Sequence, residues 1–493
     1  MSHTAAALAQ KVWSYAHVLR DDGLGFMEYT EQITYLLFLK LASEQRGTSD
    51  SGDIAKRYNW HALRSIRDDR ALERRYQLAL KNLSKKAGLL GVIFAKPQSK
   101  INDPAKLRHL IDMIEEEDWS SLDVDVKGEV YESLLARNSE DVRGGAGQYF
   151  TPRPVIRAIV EVMRPRARTV ICDPAVGTGG FLLAAYEWLR SHSTGYADEQ
   201  FLRTRALRGS DIVTNVARLC MMNLYLHDIG TDPEHPPITI GDSLASRPKT
   251  KVAMVLTNPP FGKKSLVKRR QAGQGGGSRD DRVYARNDFW ATTSNKQLNF
   301  VQHVYSMLKD GGRAAMVVPD NVLFEGGAGE KVRRALLTQA DVHTLLRLPT
   351  GIWYSTGVTA NVLFFDKMRP RNRDLWIYDL RTNKNFTLRE NPITSDDLRD
   401  FVNCYQSESR SKRKESERFR RYTHAEILHG PKASLDLSWL SDDSFKDPIN
   451  MPSHKILAEE VVLLLKQALC DFEMAMANAN DSAKPKRRAL RRR

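Results

Sequence analysis

An amide, two prolines and an aromatic ring, Asn258-Pro259-Pro260-Phe261, follow an apolar run, Val252 to Leu256, that reads as a buried strand. The prolines stiffen the turn and remove two backbone donors, so carbonyls remain to accept hydrogen bonds. Asn258 can donate and accept from one planar group, and Phe261 offers a flat face. Such a pocket suits a flat molecule that carries an exocyclic amino or amide nitrogen.

Upstream, Asp173-Pro174-Ala175-Val176-Gly177-Thr178-Gly179-Gly180-Phe181 follows another predicted strand. Its small residues, Gly177, Thr178, Gly179 and Gly180, let the backbone turn tightly and approach a ligand as a helix begins. A pyrophosphate loop would avoid the carboxylate of Asp173. A cationic ligand would welcome it, and the sulfonium and ammonium groups of S-adenosylmethionine fit that requirement. Asp211 ends the next strand, where a carboxylate can accept both hydroxyls of a ribose; helix capping is the plainer role for it. Asp242 ends the third, where it could accept from an adenine amino group or simply close a turn. Three such acids and Asn258 at successive strand ends are much less expected by chance than any one alone. Gly262-Lys263-Lys264-Ser265 lacks the leading glycine of a P-loop, and no HExxH or GxSxG pattern is present, which disfavours metal-dependent or serine hydrolysis.

The elements that must hold these residues alternate. Strands are predicted at Thr169–Cys172, Ala206–Gly209, Ile238–Ile240, Val252–Leu256, Ala314–Val318, Thr344–Leu348 and Val362–Phe365. Helices are predicted at Gly179–Arg190, Val213–His227, Lys296–Lys309 and Ala328–Leu337. This order argues for an α/β fold with a doubly wound, mostly parallel, Rossmann-like sheet, whose ligands bind outside the carboxyl ends of the strands. Residues 1–140 read as an all-helical domain, residues 141–372 as the catalytic domain, and residues 373–493 as a C-terminal extension. In the extension, Leu375–Tyr378 reads as a strand, Ser407–Arg421 as a solvated charge run, and His454–Ala477 as a long helix that packs on the core or docks a partner. The basic, glycine-rich stretch 263–292 reads as a surface loop beside the pocket, and the last ten residues as a basic tail.

The formal net charge of +15 points to a polyanionic partner, with nucleic acid the default. Cys172, Cys220, Cys404 and Cys470 are too scattered for a zinc site or a disulfide framework. No apolar stretch approaches the roughly 20 residues that span a bilayer, and residues 1–10 lack the features of a signal peptide. A cytoplasmic protein is the expectation.

The segments Gly147–Pro152, Asp173–Phe181, Asn258–Phe261 and Thr356–Phe365 occur in the order found in adenine-amino DNA methyltransferases. With Thr293–Leu298, Gly311–Phe324, Ser434–Leu440 and the helical N-terminus, the chain resembles the modification (M) subunit of type I restriction-modification systems. Two departures stand out: Asp211 replaces the family's frequent Glu, and the glycine-rich insertion is not a family feature. The resemblance implies a bacterial or archaeal enzyme that flips an adenine from double-stranded DNA and moves a methyl from S-adenosylmethionine to its N6 amino group, without a metal. Asn258 and the Pro259 carbonyl would accept the amino hydrogens, Pro260 would shape the turn, and Phe261 would stack on the base. Gln148, Tyr149, Phe150, Thr151, Pro152 and Arg153 would join the cofactor side, with Thr151 also able to cap the helix starting near Pro152. A separate specificity (S) subunit would choose the sequence, with two M subunits per S subunit, and a restriction (R) subunit would cleave. The rivals are methylation of protein glutamine or RNA guanine in the same pocket, and a catalytically silent DNA-binding scaffold.

Overall fold

The computed structural model describes, with short gaps, residues 11–19, 26–44, 54–119, 151–261, 284–353, 358–368, 374–441 and Val462. The expectations for Gln148, Tyr149 and Phe150, for most of 263–292, for the basic tail and for the His454–Ala477 helix apart from Val462 lie outside those residues. No helix among the described residues is long and apolar enough to cross a membrane.

The N-terminal part is helical. Helix α1 (Phe26–Glu44) runs through its centre, with residues 32–41 all buried. Around it, α2 (Asp69–Leu83) and α3 (Pro104–Glu115) are amphipathic. Leu72, Tyr76, Ala79, Leu80 and Leu83 of α2 recur at helical spacing and are buried. Asp68 and Asp103 cap these two helices by accepting from the Ala71 and Ala105 amides.

The rest is built on a nine-stranded sheet of order β3-β2-β1-β4-β5-β7-β6-β8-β9. The strands are β1 (Ile171–Asp173), β2 (Leu207–Asp211), β3 (Ile238–Ile240), β4 (Val252–Thr257), β5 (Leu308–Pro319), β6 (Asp341–Arg347), β7 (Ala360–Asp366), β8 (Asp374–Asp379) and β9 (Phe419–Thr423). From β3 to β5 every pairing is parallel; β7 inserts antiparallel between β5 and β6. The major helices are α4 (Arg153–Met163), α5 (Gly180–Ser191), α6 (Thr214–Leu226), α7 (Lys296–Met307), α8 (Ala328–Gln339) and α9 (Ser395–Tyr405).

Both faces of the sheet are covered, and the strands alternate accordingly. Met254, Leu256, Val362 and Phe364 pack in one core with α4, α5, α6 and α9. Val255, Leu363 and Phe365 point to the opposite core with α7 and α8. Each such side chain contributes roughly 1.5–3 kcal/mol of transfer free energy. This is the doubly wound α/β architecture expected. Cys172 and Cys220 are buried within it. The N-terminal helices dock on α6, where Arg218 donates to Glu31 Oε1 at 2.7 Å and Phe38 packs on Tyr225.

The stretch after residue 380 departs from expectation. Most of the Ser407–Arg421 charge run is exposed, as expected, but part of it turns inward. Arg413 is buried, donating to the Tyr405 and His343 carbonyls; Arg410 bridges Asp341 and Asp366; and β9 begins at Phe419. Acids on β6 and β7, far away in sequence, draw these arginines inward. Upstream, Thr394 and Asp397 form a capping box that starts α9, and α9 buries Leu398, Phe401 and Tyr405.

Candidate active site

The carboxyl ends of β1, β2, β3 and β4 lie side by side and are tied together by hydrogen bonds. After β1 the chain turns through Gly177 (φ +56°) and Gly179 (φ +92°). A Cβ at Gly179 would meet the Cys220 Sγ at 2.9 Å, so any side chain there is strained and must displace Cys220. A Cβ at Gly177 would meet nothing within 4 Å, which leaves open space over the turn. Asn223 holds the turn from behind, donating to the Thr178 carbonyl at 3.1 Å. Gly180 then opens α5.

Each acid is held by backbone amides or hydroxyls. Asp173 is 1% exposed; its Oδ1 accepts from the Ala175 amide at 3.0 Å and from the Thr257 hydroxyl at 2.6 Å. Burial is the largest influence on its carboxyl and raises its pKa to about 7. Asp211 accepts from the Gly177 amide through Oδ2 (3.1 Å) and from the Val213 amide through Oδ1 (2.8 Å). Its pKa is also raised, mainly by burial. Asp242 accepts from the Leu244 amide at 3.0 Å and the Tyr284 hydroxyl at 2.9 Å. Ser243 joins its turn to the first one by donating to the Pro174 carbonyl, and it bonds Ser210 on β2 at 2.7 Å.

The Asn258 turn is fastened to this group. Thr257, buried at the end of β4, donates to Asp173 on the neighbouring strand β1, and Asn258 follows it directly in the chain. Asn258 is half-buried, Pro259 buried and Pro260 exposed. Asn258 Nδ2 donates to Thr151 Oγ1 at 2.8 Å. Thr151 does not cap the following helix: the N-cap of α4 is Pro152, which has no side-chain acceptor to supply a cap bond, and Thr151 lies one residue before it. Arg153 opens α4 and is buried. Phe261 is 5% exposed and meets the edge of Trp353 at 6.1 Å between centroids, with the rings inclined by 70°.

The fold thus brings Asp173, the glycine turn, Asp211, Asp242, Asn258, Phe261 and Thr151 to one edge. Sequence reasoning overlooked Tyr284, Trp353 and a cluster at the ends of β5 and β7. There Arg381 grips both oxygens of Asp320 at 2.8 and 3.0 Å, and Asn361 donates to Asp320 at 2.7 Å. Asp320 and Asn361 lay in recognisable segments without an assigned role. Nothing in the sequence links Arg381 to them.

A doubly wound sheet with small-residue turns, acids at three strand ends and an Asn-Pro-Pro-Phe turn at the fourth defines an amino-group methylase, and the comparisons agree. The model of the N-6 DNA methylase family matches residues 122–430, and that of the HsdM N-terminal domain matches residues 8–114. The type I restriction enzyme StySJI methylase subunit of Salmonella typhimurium is 34% identical, over 98% of this chain and 97% of its own length. The crystal structure of the EcoKI M protein, a type I restriction enzyme component, matches with a TM-score of 0.53 at 32% identity, covering 98% of this chain and 99% of that one. A chain from a study of complex assembly and conformational transition in the type I R-M system matches with a TM-score of 0.67 at 25% identity, covering 98% and 100%. The chain belongs to the N-6 DNA methylases, among the methylase subunits of type I restriction enzymes, and is an adenine-specific DNA methyltransferase.

Proposed function

We propose that the Asn258 turn receives an adenine flipped out of double-stranded DNA, and that the ends of β1, β2 and β3 hold S-adenosylmethionine beside it. The observation that carries this reading is the hydrogen bond from Thr257 to Asp173, which ties the strand that leads straight into Asn258 to the first acid. It supports a reading in which a subsite for a cation adjoins a subsite for an amine.

The residues fit the cofactor. The open space over Gly177 gives room for it. Asp173 has a carboxyl raised by burial and no ion pair among the described residues, so a nearby cation would favour its ionised form. Asp211 is left to accept from the ribose and Asp242 from the adenine amino group, the latter in exchange for the Tyr284 hydroxyl. When bound, the cofactor supplies an electrophilic methyl on a sulfonium. Asn258 and the Pro259 carbonyl accept the hydrogens of the target amine and draw its lone pair out of conjugation with the ring, which makes the nitrogen a better nucleophile. Phe261 stacks on the base. It is nearly buried, so base entry requires its neighbours to yield. Catalysis is then positioning and electrostatics, with no covalent enzyme intermediate.

The relatives are named as subunits, and we extend that to this chain: a specificity subunit chooses the DNA sequence, two M subunits serve one S subunit, and a restriction subunit cleaves. The test is tritium transfer to DNA by this chain alone and after addition of the specificity subunit, with Asn258→Ala in parallel. Activity that appears on assembly and is lost in Asn258→Ala supports the reading. Sequence-specific activity of the lone chain would refute the partner requirement, and methyl transfer by Asn258→Ala would refute the role of Asn258.

A further inference from the structure

We infer that Trp353 is a specificity-determining residue for the target base: its indole N–H donates to a ring nitrogen of the flipped adenine. The inference rests on the proposed reading of the Asn258 turn as the base pocket.

The fold brings Trp353 to that pocket. Strand β6 runs in the same direction as β4 and β5, so the chain leaves it at the edge where Asn258 lies. At Gly351 (φ +79°) the chain turns so closely past Phe386 that a Cβ would collide with the Phe386 carbonyl. Two residues on, Trp353 is 3% exposed, and its ring lies 6.1 Å from that of Phe261 at an angle of 70°. Phe261 is the ring proposed to stack on the base, so Trp353 borders the space that the base must enter.

The chemistry of Trp353 is incomplete there. A buried indole N–H ordinarily finds a partner. The other fully buried tryptophans among the described residues do: Trp60 donates to Glu115 at 2.7 Å and Trp119 to the Ile114 carbonyl at 2.9 Å. The Trp353 N–H is buried and meets no acceptor among the described residues. An indole nitrogen only donates, so no tautomer or flip relieves it. An acceptor arriving with a ligand does, and recovers the cost of leaving it unmet. Asn258 and the Pro259 carbonyl take the hydrogens of the adenine amino group. The remaining polar atoms of the base are N1, N3 and N7, and all three are acceptors, so each is complementary to this donor.

The test uses the chain assembled with its specificity subunit, on DNA whose target adenine has N1, N3 or N7 replaced by carbon in turn. The wild-type protein should lose about tenfold in kcat/KM on one of the three, the effect of one hydrogen bond made in the transition state. Trp353→Phe keeps an aromatic ring and removes the donor. It should lose about tenfold on unmodified DNA, and less than about twofold more on that same analogue. Its affinity for S-adenosylmethionine, read by calorimetry, should change less than about twofold. A packing role would leave the analogue penalty equal in both proteins. That equality, or full activity of Trp353→Phe on unmodified DNA, overturns the inference. If Trp353→Phe folds poorly, the wild-type protein decides: a fall in kcat on one analogue supports the inference, and an unchanged kcat on all three overturns it. Asn258→Ala in the same assay separates the two ideas. If it is inactive while the analogue penalties are equal, only the role of Trp353 fails; if it is active, the reading of the Asn258 turn fails.

Discussion

The acids at the two halves of the sheet are held in opposite ways. At the ends of β1 and β2, Asp173 and Asp211 are bonded by backbone amides and a hydroxyl. Neither has an ion pair among the described residues, and burial leaves both carboxyls raised. In the other half, arginines close on the acids. Burial pushes Asp320 upward, but Arg381 and Asn361 more than offset it. Burial acts on Asp366 too, and His343, Arg410 and Arg313 hold it well below the usual carboxylate range. Asp341 is the exception: burial outweighs Arg410 and it stays raised. The contrast teaches a division of labour. Acids already neutralised by arginine hold the fold together, and acids left without a cation are the ones that can take one from a ligand.

The strongest challenge to this division lies in the arginine half. Arg333 is 2% exposed and donates to the carbonyls of Ala433, Val322, Glu325 and Lys432, joining the C-terminal segment to the end of β5. Arg333→Ala strands several carbonyls and should cost at least about 3 kcal/mol in urea denaturation. A change near zero would mean that the staple is idle. Arg381→Ala removes a two-pronged partner from a partly exposed acid, so a smaller loss is expected, roughly 2 kcal/mol. In the ligand half, Gly179→Ala meets left-handed strain and Cys220, and should cost roughly 1–2 kcal/mol while also weakening cofactor binding.

The subtlest expected effect is on pH. Asp173 sits near 7 when folded and near 3.9 when unfolded. Between those values the folded chain holds the extra proton, so stability of the ligand-free protein should decline as pH rises through that window. Binding of a cation favours the ionised carboxyl. Affinity for S-adenosylmethionine should therefore rise with pH up to about 7 and level off above it. Titrations at several pH values check this, and an affinity that falls on raising the pH would break the comparison.

Legibility in the sequence follows the same division. The ligand half was readable because its work is local: an acid or amide at a strand end, then a turn and a helix start within a few residues. Strand β3 matched its expected limits, and β4 extends only to Thr257. The arginine half was not. Arg410 and Arg413 look solvated until β6 and β7 supply Asp341, Asp366 and the His343 carbonyl some 44 to 70 positions away. Thr151 shows the limit on the ligand side as well. A Thr-Pro pair before a helix reads as a cap, and only the folded chain reveals that its hydroxyl serves Asn258, 107 positions on.

One comparison tests the division most directly: S-adenosylmethionine titrated by calorimetry into Asp173→Asn and Asp366→Asn, with thermal melting of each. The account predicts that Asp173→Asn loses about 10- to 100-fold in affinity without a lower melting temperature. Asp366→Asn, on the opposite edge of the sheet, should melt earlier and still bind the cofactor. Full affinity in Asp173→Asn, or a binding defect confined to Asp366→Asn, would contradict the account.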